Sequence, residues 1–330
     1  MNRRAFLGLG GVAAVSGYAV TRLGNSEAPP LADGPRGNSA VAILKARSYS
    51  VDLVGPMLAG ARACGLDVKG KRVLLKPNLV EFDAATAINT DARVVAAAYE
   101  VMQRLGAAEV TIGEGPGHRR DTYELAAEAK YFEAVPGFER VFTDLNRDDV
   151  TPVGNFGGET TFYFPDTALR ADLIVSLAKM KTHHWAGATL SMKNFFGLVP
   201  GSVYGWPKNK LHYFGISESI VALNRKFRRT FAIVDGIVGM DGNGPIQGRP
   251  KPTGVLVMGQ DLVAVDATCC RIMGIDPEKV EYLRMAADLG HVRASRIEQR
   301  GEVVDSVRTP YELIAKFEHL RIAGITGAKA

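Results

Sequence analysis

Short apolar runs alternate along the chain with longer stretches in which apolar positions recur every three or four residues. The first kind reads as buried strand and the second as amphipathic helix. The strands this predicts are Val41–Leu44, Arg72–Leu75, Glu109–Ile112, Leu173–Leu177, Phe231–Val234 and Val255–Met258. The helices are Val51–Cys64, Ala92–Leu105, Thr122–Phe132, Ile216–Phe227, Asp266–Met273 and Pro277–Leu289, with Gly106 stopping the second. Strand and helix in alternation predict an α/β fold, a mainly parallel sheet with helices on both faces. Its ligand crevice is expected at the carboxyl ends of the strands.

Those strand ends hold the candidate chemistry. Arg72–Leu75 runs into Lys76-Pro77-Asn78, and Glu109–Ile112 into Gly113-Glu114-Gly115-Pro116-Gly117-His118. Leu173–Leu177 leads to Lys179, Lys181 and His183, and Phe231–Val234 to Asp235-Gly236. In a parallel sheet these ends share one edge, so one pocket is expected to gather them. An extended chain would put Lys179, Lys181 and His183 on one face. Two ammonium groups so placed repel unless an anion or carboxylate lies between them. Glu114 and Asp235 are the expected protein partners, and a small carboxylate or phosphate the expected ligand. Burial would lower a lysine pKa and make it a base or nucleophile. The alternative is that both lysines only hold carboxylates in structural ion pairs.

His183 shares the lysine face and is the candidate acid/base. His184, on the opposite face of an extended chain, is not expected to join it. The expected catalytic group is therefore His183, Lys181, Lys179, Glu114 and Asp235. Lys76, Asn78, Lys193, Asn194, Gly244 and Arg249 are the expected binding residues, Arg249 offering a planar fork for a carboxylate. A divalent metal on His183, Glu114, Asp235 and His118 is an open alternative, though the spacing matches no standard ligand pattern. The Gly/Pro-rich segment Met240–Pro250 reads as a loop, lacking both a dinucleotide fingerprint and a P-loop lysine. Asp266 reads as a helix N-cap.

The remaining features set context. Arg3-Arg4 precede a short apolar run to Val20, the pattern of a twin-arginine export signal. Residues 1–28 read as that signal or an anchor, 29–40 as a linker, 41–295 as the α/β domain and 296–330 as a partly helical extension. The expectation is an exported, periplasmic or otherwise extracytoplasmic protein that meets the twin-arginine translocon on its way out. A net charge of +5 is too mild for nucleic acid. The three cysteines, Cys64, Cys269 and Cys270, cannot by themselves carry an iron–sulfur cluster.

The run from Lys179 to Gly201 resembles the K-x-K-T-H…K-N-x-x-G signature of the domain-of-unknown-function 362 family. Asp235-Gly236, Gly242-Asn243-Gly244-Pro245, Gly248 and Ala264-Val265-Asp266-Ala267 resemble its second block. Lys76-Pro77-Asn78 and Gly113-Glu114-Gly115 resemble its first. The likeness extends from about Val41 to about Gly290. Some members carry a fused ferredoxin-type module, which this sequence does not contain, and the family brings no agreed reaction with it. Three functional classes follow. One is an exported enzyme using Lys/His acid–base chemistry on a small anion, with or without a metal. The second is a binding protein for an anionic metabolite or metal complex, and the third a cofactor-dependent redox protein.

Overall fold

A computed structural model describes residues 31–326. The expected export signal lies outside the described residues. Among the described residues no helix is long and apolar enough to cross a membrane.

Eleven strands are present among the described residues: β1 (Ser39–Lys45), β2 (Arg72–Pro77), β3 (Glu109–Glu114), β4 (Phe142–Asp144), β5 (Val150–Phe156), β6 (Glu159–Pro165), β7 (Leu173–His183), β8 (Gly187–Thr189), β9 (Thr230–Asn243), β10 (Gln247–Gly259) and β11 (Ile297–Gly301). Nine form one sheet in the order β11-β1-β10-β9-β7-β2-β3-β4, with β8 paired to β7, while β5 and β6 form a separate hairpin. Neighbours β9, β7, β2, β3 and β4 run parallel, as do β11 and β1. The β1–β10, β10–β9 and β7–β8 pairings are antiparallel, so the sheet is mixed but mainly parallel.

Two apolar clusters lie on the two faces of this sheet. One packs helices Val54–Ala63 and Ala92–Arg104 against it, and the other packs Ile216–Lys226 and Leu262–Ile272. Strands covered on both sides read as continuous apolar runs, which is why the sequence shows them. Central β7 is buried at all eleven positions.

Several expected boundaries shift. β7 does not stop at Leu177 but runs through the charged residues to His183, because Lys179, Lys181 and Thr182 find partners on other segments and His183 in the turn that follows. The Met240–Pro250 segment is not an open loop but the hairpin joining β9 and β10. Helix Thr122–Phe132 breaks where Lys130 takes a left-handed conformation at φ 65°. Asp261, not Asp266, caps helix Leu262–Ile272, accepting from the Ala264 N–H at 3.0 Å. Asp266 lies inside that helix, wholly buried.

Candidate functional site

The carboxyl ends of β2, β3 and β7 open on a cavity of about 230 Å³, closed by the 3₁₀ turn Lys193–Leu198, the segment Pro207–His212 and the β9–β10 hairpin tip. Of the expected residues, Lys76, Asn78, Glu114, His118, Lys181, His183, Lys193 and Asn194 line it. Lys179, Asp235 and Arg249 do not.

Beneath the cavity lies a neutralised floor. Lys76 Nζ donates to Glu114 Oε2 at 2.5 Å and to Asn194 Oδ1 at 3.2 Å. Glu114 also accepts from the N–H groups of Leu79 and Gly115, so each of its oxygens has a donor. Burial lowers the Lys76 pKa, and the carboxylate beside it opposes that shift. Gly197 must lack a side chain, since a Cβ there would run into Lys76 and Glu114. Asn194 in turn donates to Lys76 O and Ser176 Oγ, at 2.8 and 3.1 Å. The two asparagines thus tie strand ends together while facing the cavity.

Lys181 has no carboxylate partner among the described residues. Its ammonium donates to Asn78 Oδ1, Ile88 O and Pro245 O at 2.8, 2.8 and 3.3 Å. Burial first, then the like charges of Lys193 and Lys179, holds its pKa well below the ordinary lysine range. Lys208, which the sequence gave no reason to choose, also lines the cavity, bonded to Val199 O and Asn146 Oδ1. Burial pushes it down to about 7. Lys193 differs from all of these. Among the described residues its Nζ has no hydrogen-bond or carboxylate partner, and it sits 4.6 Å from the Phe196 ring centroid, a cation–π contact. Burial lowers its pKa to about 8.

The histidines have tautomers fixed by the backbone. His183 Nδ1 accepts the N–H groups of Trp185 and Ala186, at 3.0 and 3.1 Å. A ring nitrogen accepting twice carries no proton, so neutral His183 presents Nε2–H as a donor. Burial and neighbouring Lys193 keep its pKa well below the histidine range, so it stays neutral. His184 and His212 are the reverse. Each donates Nδ1–H to a carbonyl, Gly244 O at 2.8 Å and Lys208 O at 3.1 Å, which leaves a lone pair on Nε2. Burial lowers the His212 pKa as well. The chain turns immediately after β7, so His183 and His184 stack at 4.9 Å rather than facing apart. Gly244 enters the site through its carbonyl, as the anchor of His184.

The expected metal set does not assemble. Among the described residues no group of three or more His, Cys, Asp or Glu side chains is placed to hold an ion. Glu114 is paired with Lys76 and held by two backbone N–H groups, and Asp235 belongs to another cluster. His183 cannot offer Nε2 while Nδ1 is doubly engaged, and His118 stands 3.5 Å from Glu81.

Lys179 and Asp235 pair at 2.9 Å in a different hollow, with Tyr49 donating to Asp235 at 3.0 Å. Their separation from the cavity follows the register: β7 Lys179 lies opposite Asp235, but Lys181 lies opposite Met240, so β9 bulges between them. Arg249 is exposed on the hairpin and paired with Glu312. Asp266 supports the cavity from behind. It accepts from the Ser191 hydroxyl and N–H at 2.5 and 2.8 Å and from the Met192 N–H at 3.1 Å, fixing the residues before Lys193. Burial pushes its carboxyl up to about 7, against the donors that pull it down.

Comparison with known proteins adds three findings. A thylakoid-associated protein of Synechocystis sp. is 28% identical over 275 residues, covering 76% of this chain and 79% of that protein. The lactate racemase apoprotein of Thermoanaerobacterium thermosaccharolyticum superposes with a TM-score of 0.46 at 13% identity, over 72% of this chain; the match spans 57% of the racemase chain. The sequence between residues 73 and 271, which holds every cavity lysine and histidine named above, matches the domain of unknown function DUF362. The chain belongs to that family.

Proposed function

We propose that this protein is an enzyme that seats a small anion, a carboxylate or phosphate, in the cavity at the sheet edge and moves a proton on it. The observation that carries this reading is Lys193, a cation with neither carboxylate nor hydrogen-bond acceptor among the described residues, in a cavity whose other charges are already engaged. Lys193 is half-buried in the cavity wall, so water reaches its charge only in part, and an anionic ligand would supply the partner the described protein groups do not. His183 Nε2–H would then donate to an oxyanion, acting as a neutral electrophile. His212 or His184, each with a free Nε2 lone pair, would act as the base. This revises the sequence expectation, in which His183 itself exchanged the proton. The same reading keeps the protein exported, on the strength of Arg3-Arg4 ahead of an apolar run. Loss of translocation on exchanging both arginines for lysine would be its check.

Calorimetric titration with a panel of small carboxylates and inorganic phosphate tests the anion site. At least one should bind, and Lys193→Met should weaken it by about tenfold or more, roughly 1.4 kcal/mol. Equal affinity in the variant would sink the reading. Deuterium wash-in at C–H positions next to the bound carboxylate tests the chemistry, with loss expected in His212→Phe or His184→Phe. Binding without exchange on any carboxylate would make the protein a binding protein instead.

A further inference from the structure

Five aromatic rings line the cavity and touch in an unbroken series. His183 stacks on His184 at 4.9 Å, His184 meets Trp185 edge-on at 4.6 Å, Trp185 meets His212 at 5.5 Å, and His212 meets Phe196 at 6.2 Å. Lys193 closes the arc over the Phe196 face.

We propose that the anion taken here is the carboxylate of a planar, conjugated molecule whose flat body lies against this arc. The proposal rests on the anion-binding reading above and narrows its ligand. Most polar groups around the cavity are spent on each other: Lys76 on Glu114, Lys181 on three carbonyl oxygens, Asn78 and Asn194 on the strand ends. What is left for a ligand is small: the Lys193 ammonium, the His183 N–H and two histidine lone pairs, with the His118 ring and the Trp185 indole N–H beside them. Thr189 adds a hydroxyl that is buried without a partner in the cavity wall. A sugar or polyol would bring more hydroxyls than these groups can satisfy, and each left unpaired would weaken binding. A ligand with one charged end and an apolar remainder matches the inventory. Ring walls favour a flat remainder, because offset and edge-to-face contacts between rings add to simple burial. Size agrees, since a dry cavity of about 150 Å³ holds benzene, and 230 Å³ leaves room for one ring with its carboxylate.

Benzoate, cyclohexanecarboxylate and acetate, titrated into the full chain by calorimetry, separate planarity from bulk and from charge. Benzoate should bind about tenfold tighter than either of the others. In a Trp206→Phe background, where Trp185 is the remaining tryptophan, benzoate should also change its fluorescence. Trp185→Ala should weaken benzoate by about 3- to 10-fold and leave acetate unchanged, whereas Phe196→Ala, which also removes the ring under Lys193, should weaken both and benzoate the more. If cyclohexanecarboxylate or acetate matches benzoate, the planar class is wrong while the anion site stands. Tighter binding of inorganic phosphate than of benzoate would overturn it in the same way. If no probe binds, or none depends on Lys193, the anion reading and this one fall together.

Discussion

Lys179 and Lys181 lie two residues apart on β7, yet they belong to regions built on opposite principles. Around Lys179 every charge is answered. Asp235 takes its ammonium, the Tyr49 hydroxyl and the N–H groups of Asp91 and Ile237, and burial drives the Tyr49 pKa far up. Around Lys181 cations outnumber anions, with Lys193 bare and Glu114 already committed to Lys76. The same residue types at one sheet edge thus make a structural clamp in one place and an incomplete site in the other. An ion pair that saturates its own lone pairs holds strands together. A lysine left without a partner marks where something else belongs.

The largest effect that can break this comparison is on the clamp. Asp235→Ala should leave the buried Lys179 ammonium without its carboxylate, held only by the Tyr49 oxygen, and the N–H groups of Asp91 and Ile237 without their acceptor, and lower stability by about 3–5 kcal/mol. Urea unfolding would measure it, and the anion affinity of the folded protein should barely move. Lys193→Met should do the reverse, weakening the anion while leaving stability unchanged or higher. Should Asp235→Ala instead abolish anion binding at unchanged stability, the two regions have exchanged roles.

Much of the fold could be read from the chain because its strands are covered on both faces, and doubly covered strands announce themselves as apolar runs. The end of β7 could not. Lys179-Met180-Lys181-Thr182-His183 looks like solvent-facing sequence, and only partners at Asn78, Ile88 and Asp235, far along the chain, let it stay inside the sheet. The site was legible where a residue follows a strand: Lys76, Glu114, Lys181 and His183 all reach one cavity. Asp235 met the same rule and failed it, since a bulge in β9 is invisible in composition. His212, Lys208 and Thr189 carry no sequence signal because they approach from separate segments. For Lys193 the type was legible, but its lack of a partner is a property of the assembled site.

Titration sharpens the contrast more gently. The Lys193 pKa falls to about 8 in the fold, against about 10.4 when unfolded. Between those values the unfolded chain holds a proton that the folded chain does not, so the stability of the ligand-free protein should rise with pH across that window. Lys208, at about 7, adds the same slope from a lower pH. Anion binding needs the ammonium and should run the other way, falling as pH passes about 8. Lys193→Met should flatten the upper part of the stability curve and remove that fall in affinity. Parallel curves for wild type and variant would show that Lys193 titrates elsewhere.

The smallest expected effect concerns Arg249. Its guanidinium suits a carboxylate by geometry, and the sequence places it in a Gly/Pro-rich segment where a ligand loop was expected. In the fold it stands on the exposed β10 edge of the hairpin, with Glu312 already across from it and both side chains about half accessible. Exposed pairs of this kind contribute at most about 1 kcal/mol, since water screens the attraction and two long side chains lose freedom to make it. Arg249→Ala should therefore change stability by less than that and leave carboxylate affinity where it was, by the same titration that exposes Lys193. A tenfold loss would mean that the hairpin folds over the cavity when ligand enters and that Arg249 exchanges Glu312 for the ligand. The bare cation would then be one of two, and the boundary between clamp and site would have to be redrawn to include the β9–β10 hairpin.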